Sequence, residues 1–106
     1  MATKFINLTP HTINYLGGEA PMEIPSVGVA RCQQEYIEQE TVDGIQILKT
    51  IYGNVEGLPA RQADTYYIVS SLVASAIKDR DDVVVPVMFV RDEQGRILGC
   101  KSFARL

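Results

Sequence analysis

Asp43-Gly44 stands between two runs, 29–42 and 45–52, and no other feature of the chain constrains its fold as tightly. A two-residue hairpin link needs φ > 0 at both positions, and Asp-Gly is among the pairs that accept this. The sequence therefore predicts a hairpin with a type I′ turn at its tip. Along the second arm Ile45, Ile47 and Ile51 fall on one face, with Gln46 and Thr50 on the other. That alternation predicts a half-buried strand. The first arm carries Gln33, Gln34, Glu35, Glu38, Gln39 and Glu40. So polar a run predicts an exposed or edge strand, whose charges discourage pairing with a neighbour.

Short strands are expected on either side of this hairpin. Lys4–Leu8 reads as one, ended by Pro10, which cannot donate to a ladder. Thr12–Leu16 reads as a second, closed by Gly17-Gly18, and Met22–Pro25 as a short extended piece before a turn at Ser26-Val27-Gly28. Gly53 to Pro59 reads as a loop by its turn residues. Tyr66 to Val69 favours strand, and Ser70 or Ser71 then caps a helix over 72–79 with Leu72, Val73, Ala76 and Ile77 as its apolar face. Val83–Val90 reads as a buried strand in which Pro86 demands a bulge or an edge. Asp92 to Gly95 turns the chain into a partner strand, Arg96–Phe103. The expected fold class is α+β, a mainly antiparallel sheet of short strands with one helix near 72–79. The 106 residues fit one domain, 1–106, large enough to fold without a disulfide or metal staple.

The formal net charge of −3 argues against nucleic-acid polymers, whose phosphates need clustered cations. The charge is unevenly spread: residues 1–59 hold three basic and seven acidic side chains, residues 60–106 seven and six. Five of the six arginines (Arg61, Arg80, Arg91, Arg96 and Arg105) lie in the second half, which suits a small anion. Cys32 and Cys100 form no C-x-x-C pair and cannot make a zinc site with a single histidine, so two reduced, buried thiols are expected. Met1 to Asn7 has no long apolar stretch and no run approaches the length of a membrane span. The expectation is a cytoplasmic protein that needs neither membrane, metal nor cofactor.

No phosphate-binding Gly-rich loop, dinucleotide fingerprint, H-E-x-x-H or G-x-S-x-G occurs, so binding is expected rather than catalysis. The lone histidine, His11, follows Pro10 in a turn-like stretch and suits a polar contact better than a catalytic pair with Cys32 or Cys100. Asp79-Arg80-Asp81-Asp82 has the oxygens for a hard cation but not the spacing of a calcium loop; a solvated turn with a local Arg–Asp pair is the simpler reading. Arg91 and Arg96 bracket a hairpin turn, where two guanidinium forks suit a phosphate or carboxylate. Tyr15, Tyr36, Tyr52, Tyr66 and Tyr67 suit either base stacking or a core.

Five short stretches occur in order between residues 7 and 100: Asn7-Leu8-Thr9-Pro10-His11, Gly57-Leu58-Pro59, Tyr67-Ile68-Val69-Ser70, Arg80-Asp81-Asp82-Val83-Val84 with Pro86, and Arg91-Asp92 with Gly95-Arg96-Ile97 and Gly99-Cys100. This set resembles small accessory proteins encoded by tailed phages and prophages. The resemblance implies a role in host takeover or anti-defence within a bacterial host cell, and carries over no catalytic residue. The expected function is sequestration of a small phosphorylated ligand, such as a cyclic nucleotide or ADP-ribose derivative used as an immune signal. Its contacts would be Asn7, His11, Arg80, Arg91 and Arg96. The alternatives are a protein–protein inhibitor that adds the 29–42 strand to a partner's sheet, and a weak nucleotide hydrolase using His11 with Asp81, Asp82 or Asp92. A homo-oligomer is also expected, because Ile45, Ile47, Ile51 and the apolar residues of 83–89 exceed what one helix can cover.

Overall fold

Asp43 and Gly44 have φ of 51° and 81°, so the hairpin turn forms as the sequence requires. In this computed structural model, which describes residues 3–77 and 79–106, the turn joins β4 (Arg31–Val42) to β5 (Ile45–Glu56) in a two-stranded arm. The remaining strands, β1 (Lys4–Asn7), β2 (Ile13–Tyr15), β3 (Met22–Ile24), β6 (Thr65–Ile68), β7 (Val83–Arg91) and β8 (Ile97–Ala104), build one sheet in the order β1-β6-β7-β8-β2-β3. The chain measures 53 × 39 × 19 Å with a radius of gyration of 16.6 Å. A compact domain of this length would have a radius near ~13 Å.

The α+β class with a single helix among the described residues stands, and most laddered residues lie in antiparallel pairs. The main sheet is nevertheless mixed, because β1 runs parallel to β6, β6 to β7 and β2 to β8. The helix, α1, spans Ser71–Ala76 rather than 72–79, with Ser70 as the cap whose hydroxyl accepts from the Val73 amide. Ile77 is already extended, and position 78 of the expected helix lies outside the described residues.

Two layers of side chains hold the sheet. On one face Tyr67, Val69, Val83 and Val85 meet Val73 and Ala74 of α1, with Leu8, Ala30 and the arm root Cys32 and Val55 closing the cluster. On the other face Tyr66 stacks on Phe5, Phe5 on Phe103 and Phe103 on Tyr15. Two strands separate β1 from β8 in the sheet, a span of roughly 14 Å if it were flat. The Phe5 and Phe103 centroids are 5.8 Å apart, so the sheet must curl. Its edges β1 and β3 meet at one corner, where Asn7 bridges Ser26 and its amide donates to the Ile24 carbonyl.

Several expectations need correction. Val83, Val84 and Val85 are covered within the chain, so they are no reason for an oligomer. The isoleucines of β5 are not half-buried: Ile45 is 68% exposed. β5 runs on through Gly53 and Asn54 to Glu56, where a loop was expected. Pro86 lies outside the bulge of β7 and in an interior strand of the sheet, but at a local edge position of that strand. β6 ends at Ile68, so beyond Val84 that side of β7 has no ladder to complete and the missing N–H costs nothing.

Candidate functional site

Where β6 stops and β7 continues, a cleft of about 520 Å³ opens. It lies at the carboxyl ends of the parallel strands β1 and β6, a position where open sheets commonly receive ligands. One wall is polar, with Thr9, His11, Thr12 and Asn14 from the β1–β2 segment and Ser70 and Ser71 from the β6–α1 junction. The opposite wall is Pro86 and Phe89 of β7 with Ile97 and Leu98 of β8. Phe89, Ile97 and Leu98 are each about half exposed, an apolar surface of this kind being suited to the body of a small molecule.

The polar rim is fixed by Asn7, which is 1% exposed. Its Nδ2 donates to the carbonyls of His11 at 2.8 Å and Ile24 at 2.9 Å. Its Oδ1 accepts from the Thr9 amide at 2.9 Å and the Thr9 hydroxyl at 2.6 Å. All four hydrogen-bonding positions of this amide are filled, so Asn7 shapes the rim from beneath and has none left for a ligand. The floor is set by Gly99, whose neighbour β2 approaches closely: Asn14 Nδ2 donates to the Leu98 carbonyl, and an added Cβ would overlap the Asn14 carbonyl oxygen.

Of the expected ligand residues, Asn7 and His11 come together at this rim, and His11 lines the cleft. Arg91 and Arg96 flank the β7–β8 turn, next in sequence to the wall but outside the lining. Both are engaged, Arg91 with the Gly95 carbonyl at 2.8 Å and Arg96 with Asp92 at 3.3 Å. Arg80 stands apart. Its guanidinium forks onto Asp82 at 2.9 and 2.7 Å, donates to the Pro59 carbonyl and lies over the Tyr67 ring. That pair is the local Arg–Asp contact expected of the 79–82 run. The hydrogen bond from Arg80 holds the Asp82 carboxyl below its usual range despite burial, and Asp82 raises the Arg80 guanidinium in turn.

The cleft lining contains no Asp, Glu, Lys or Arg, and His11 is its one histidine. Burial raises the pKa of the Cys100 thiol at the cleft floor, which keeps it protonated and a poor nucleophile. Among the described residues no group of three His, Cys, Asp or Glu side chains is placed to hold a metal, and no helix is long and apolar enough to cross a membrane. Thr9, Ser70, Ser71, Phe89 and Leu98 were not expected at a site. The signal that marks two of them is the Val69-Ser70-Ser71 junction, where a buried strand gives way to a capped helix and leaves hydroxyls at its end. A second hollow, about 470 Å³, lies between α1 and the arm root, lined by Arg31, Glu56 and Leu72 among others.

Comparison with known proteins found no matching protein-family model, no similar curated protein and no similar solved structure.

Proposed function

We propose that this chain is a binding protein that sequesters a small ligand in the cleft between the Ser70–Ser71 junction and the Phe89–Leu98 wall. The observation that carries the reading is the pairing of an apolar wall with a polar rim of hydroxyl and amide groups and the His11 imidazole, with no carboxylate in the lining to partner that histidine. A planar base would lie against Phe89 and Pro86, while hydroxyls of Thr9, Ser70 and Ser71 would take the polar end. The ligand class is a nucleotide-derived signal such as a cyclic nucleotide or ADP-ribose derivative. The setting is the cytoplasm of a bacterial host, as the resemblance to phage accessory proteins implies. Arg91 and Arg96 would reach a phosphate only by exchanging their present acceptors, so the phosphate is the weaker-held part of the ligand.

Titration calorimetry of the native chain against cyclic dinucleotides, cyclic trinucleotides and ADP-ribose derivatives tests the reading. One binder is expected, with Leu98→Asp abolishing the heat and the ligand recovered intact after heating. Silence across the panel sinks the nucleotide version, and a ligand returned cleaved would favour the hydrolase. Against the hydrolase stands the placement of its acids: Asp82 is committed to Arg80, Asp81 to Arg61, and Asp92 to the amides of Gln94 and Arg96.

The second reading, inhibition of a host or defence enzyme, draws on the arm. Among the described residues, both outer edges of β4–β5 are without a strand neighbour and could accept a partner strand. Stable capture of one protein from bacterial lysate, lost when Gln34 or Tyr36 is changed to proline, would favour it.

A further inference from the structure

The β4–β5 register sorts the arm into two faces. One carries Ile51 opposite Glu35, Ile37 opposite Lys49, Ile47 opposite Glu40 and Ile45 opposite Val42. A bulge between Glu38 and Glu40 keeps the four rungs on one side, so five aliphatic side chains form a stripe from mid-arm to tip. They are 41–68% exposed, and none of the five belongs to the core cluster. A two-stranded ribbon wet on both faces is marginal in water, and a long flat apolar one invites association.

We propose that this stripe packs face to face on the same stripe of a second copy, the two arms antiparallel about a two-fold axis. Area supports the choice of occupant. The five aliphatics and the stems of Glu35, Lys49 and Glu40 offer about 600 Å² per copy, so two copies would bury about 1,200 Å², enough for a specific interface. Charge supports the arrangement. With the axis between the two middle rungs, Lys49 lies over Ile47 of the other copy and Glu40 over its Ile37, which leaves Lys49 diagonal to the other copy's Glu40. Sheets pack about 10 Å apart and neighbouring strands lie about 5 Å apart, so the diagonal of about 11 Å is within the combined reach of Lys49 and that Glu40. The symmetry makes that contact twice. The inference is independent of the ligand reading, since no stripe residue lines the cleft.

Sedimentation equilibrium of the whole chain at tens of micromolar tests it, with circular dichroism to confirm folding. The expected mass is twice the 11.7 kDa of one chain. Ile47→Asp should weaken association at least a hundredfold, while Tyr36→Asp on the opposite face should leave it within about threefold. Lys49→Glu and Glu40→Lys should each weaken it about tenfold, and the double variant should recover it. A monomeric native chain, a dimer indifferent to Ile47→Asp, or a double variant no better than the single ones would each overturn the proposal.

Discussion

Replacing Asn7 by alanine removes two buried donors at once. The carbonyls of His11 and Ile24 lose their shared partner, and the Thr9 amide and hydroxyl lose their acceptor. A buried acceptor left unpaired costs about 1–3 kcal/mol, and the Thr9 groups near the surface regain water. The expected loss is about 3–4 kcal/mol, a large fraction of the ~5–15 kcal/mol by which domains are stable. With a urea slope of about 1.5 kcal/mol per molar, the midpoint should fall by roughly 2 M. Asn7→Asp should be worse at neutral pH, because a carboxylate would face two carbonyl oxygens. That opposition raises its folded-state pKa above the unfolded value. The acid regains one donor when protonated, so its deficit is full at high pH and shrinks as pH falls through the folded pKa. Urea melts followed by far-UV circular dichroism at pH 7 and pH 5, at one protein concentration, read both effects. A shift under 0.5 M for Asn7→Ala, or an Asn7→Asp deficit that ignores pH, would refute the role assigned to this amide.

Asp82→Asn should cost about 2–3 kcal/mol at pH 7 by stranding the Arg80 guanidinium. Because the native Asp82 pKa is depressed, its contribution is present above the ordinary carboxylate range and lost as pH falls through the lowered value, so melts of the two proteins should converge in acid. Gly99→Ala should part β2 from β8, costing about 2–4 kcal/mol and abolishing ligand binding; unchanged melting would show that the strands yield freely. Phe103→Ala breaks two of the three aromatic stacks and should cost about 2–4 kcal/mol, measured by thermal unfolding.

Features written in adjacent residues were legible. Asp43-Gly44 specifies its turn, and Asp92 to Gly95 closes the β7–β8 hairpin through the Asp92 carboxylate. Ser70 caps α1 where a hydroxyl before an apolar run should. The parallel pairings were not legible, because β1 meets β6 through contacts about sixty residues apart that no local pattern encodes. Gly53-Asn54 misled for a related reason. Those turn residues sit at a ladder irregularity, where β4 and β5 approach so closely that a Cβ on Gly53 would lie 3.0 Å from that of Gln33. Exposure of the β5 isoleucines was hidden too, since alternation identifies a face but not whether anything covers it. His11, singled out from its turn context, lines the cleft. The arginines were singled out by charge, yet their geometry is governed by the acceptors beside them.

The closed arm also bears on the order in which the chain assembles. Joining β1 to β6 means closing a loop of nearly sixty residues, a slow step for an unstructured chain. The arm is local and can form in about 1–10 μs. Once Arg31 and Glu56 are paired, the 26 residues from Arg31 to Glu56 no longer count toward that loop. The remaining path is roughly half as long, which lowers the closure cost by about 0.6 kcal/mol, near a threefold gain in the frequency with which the two strands meet. An element that contributes little to the core would thus act as a clasp on the pathway, and mutations at Asp43-Gly44 would be felt first in the rate of folding.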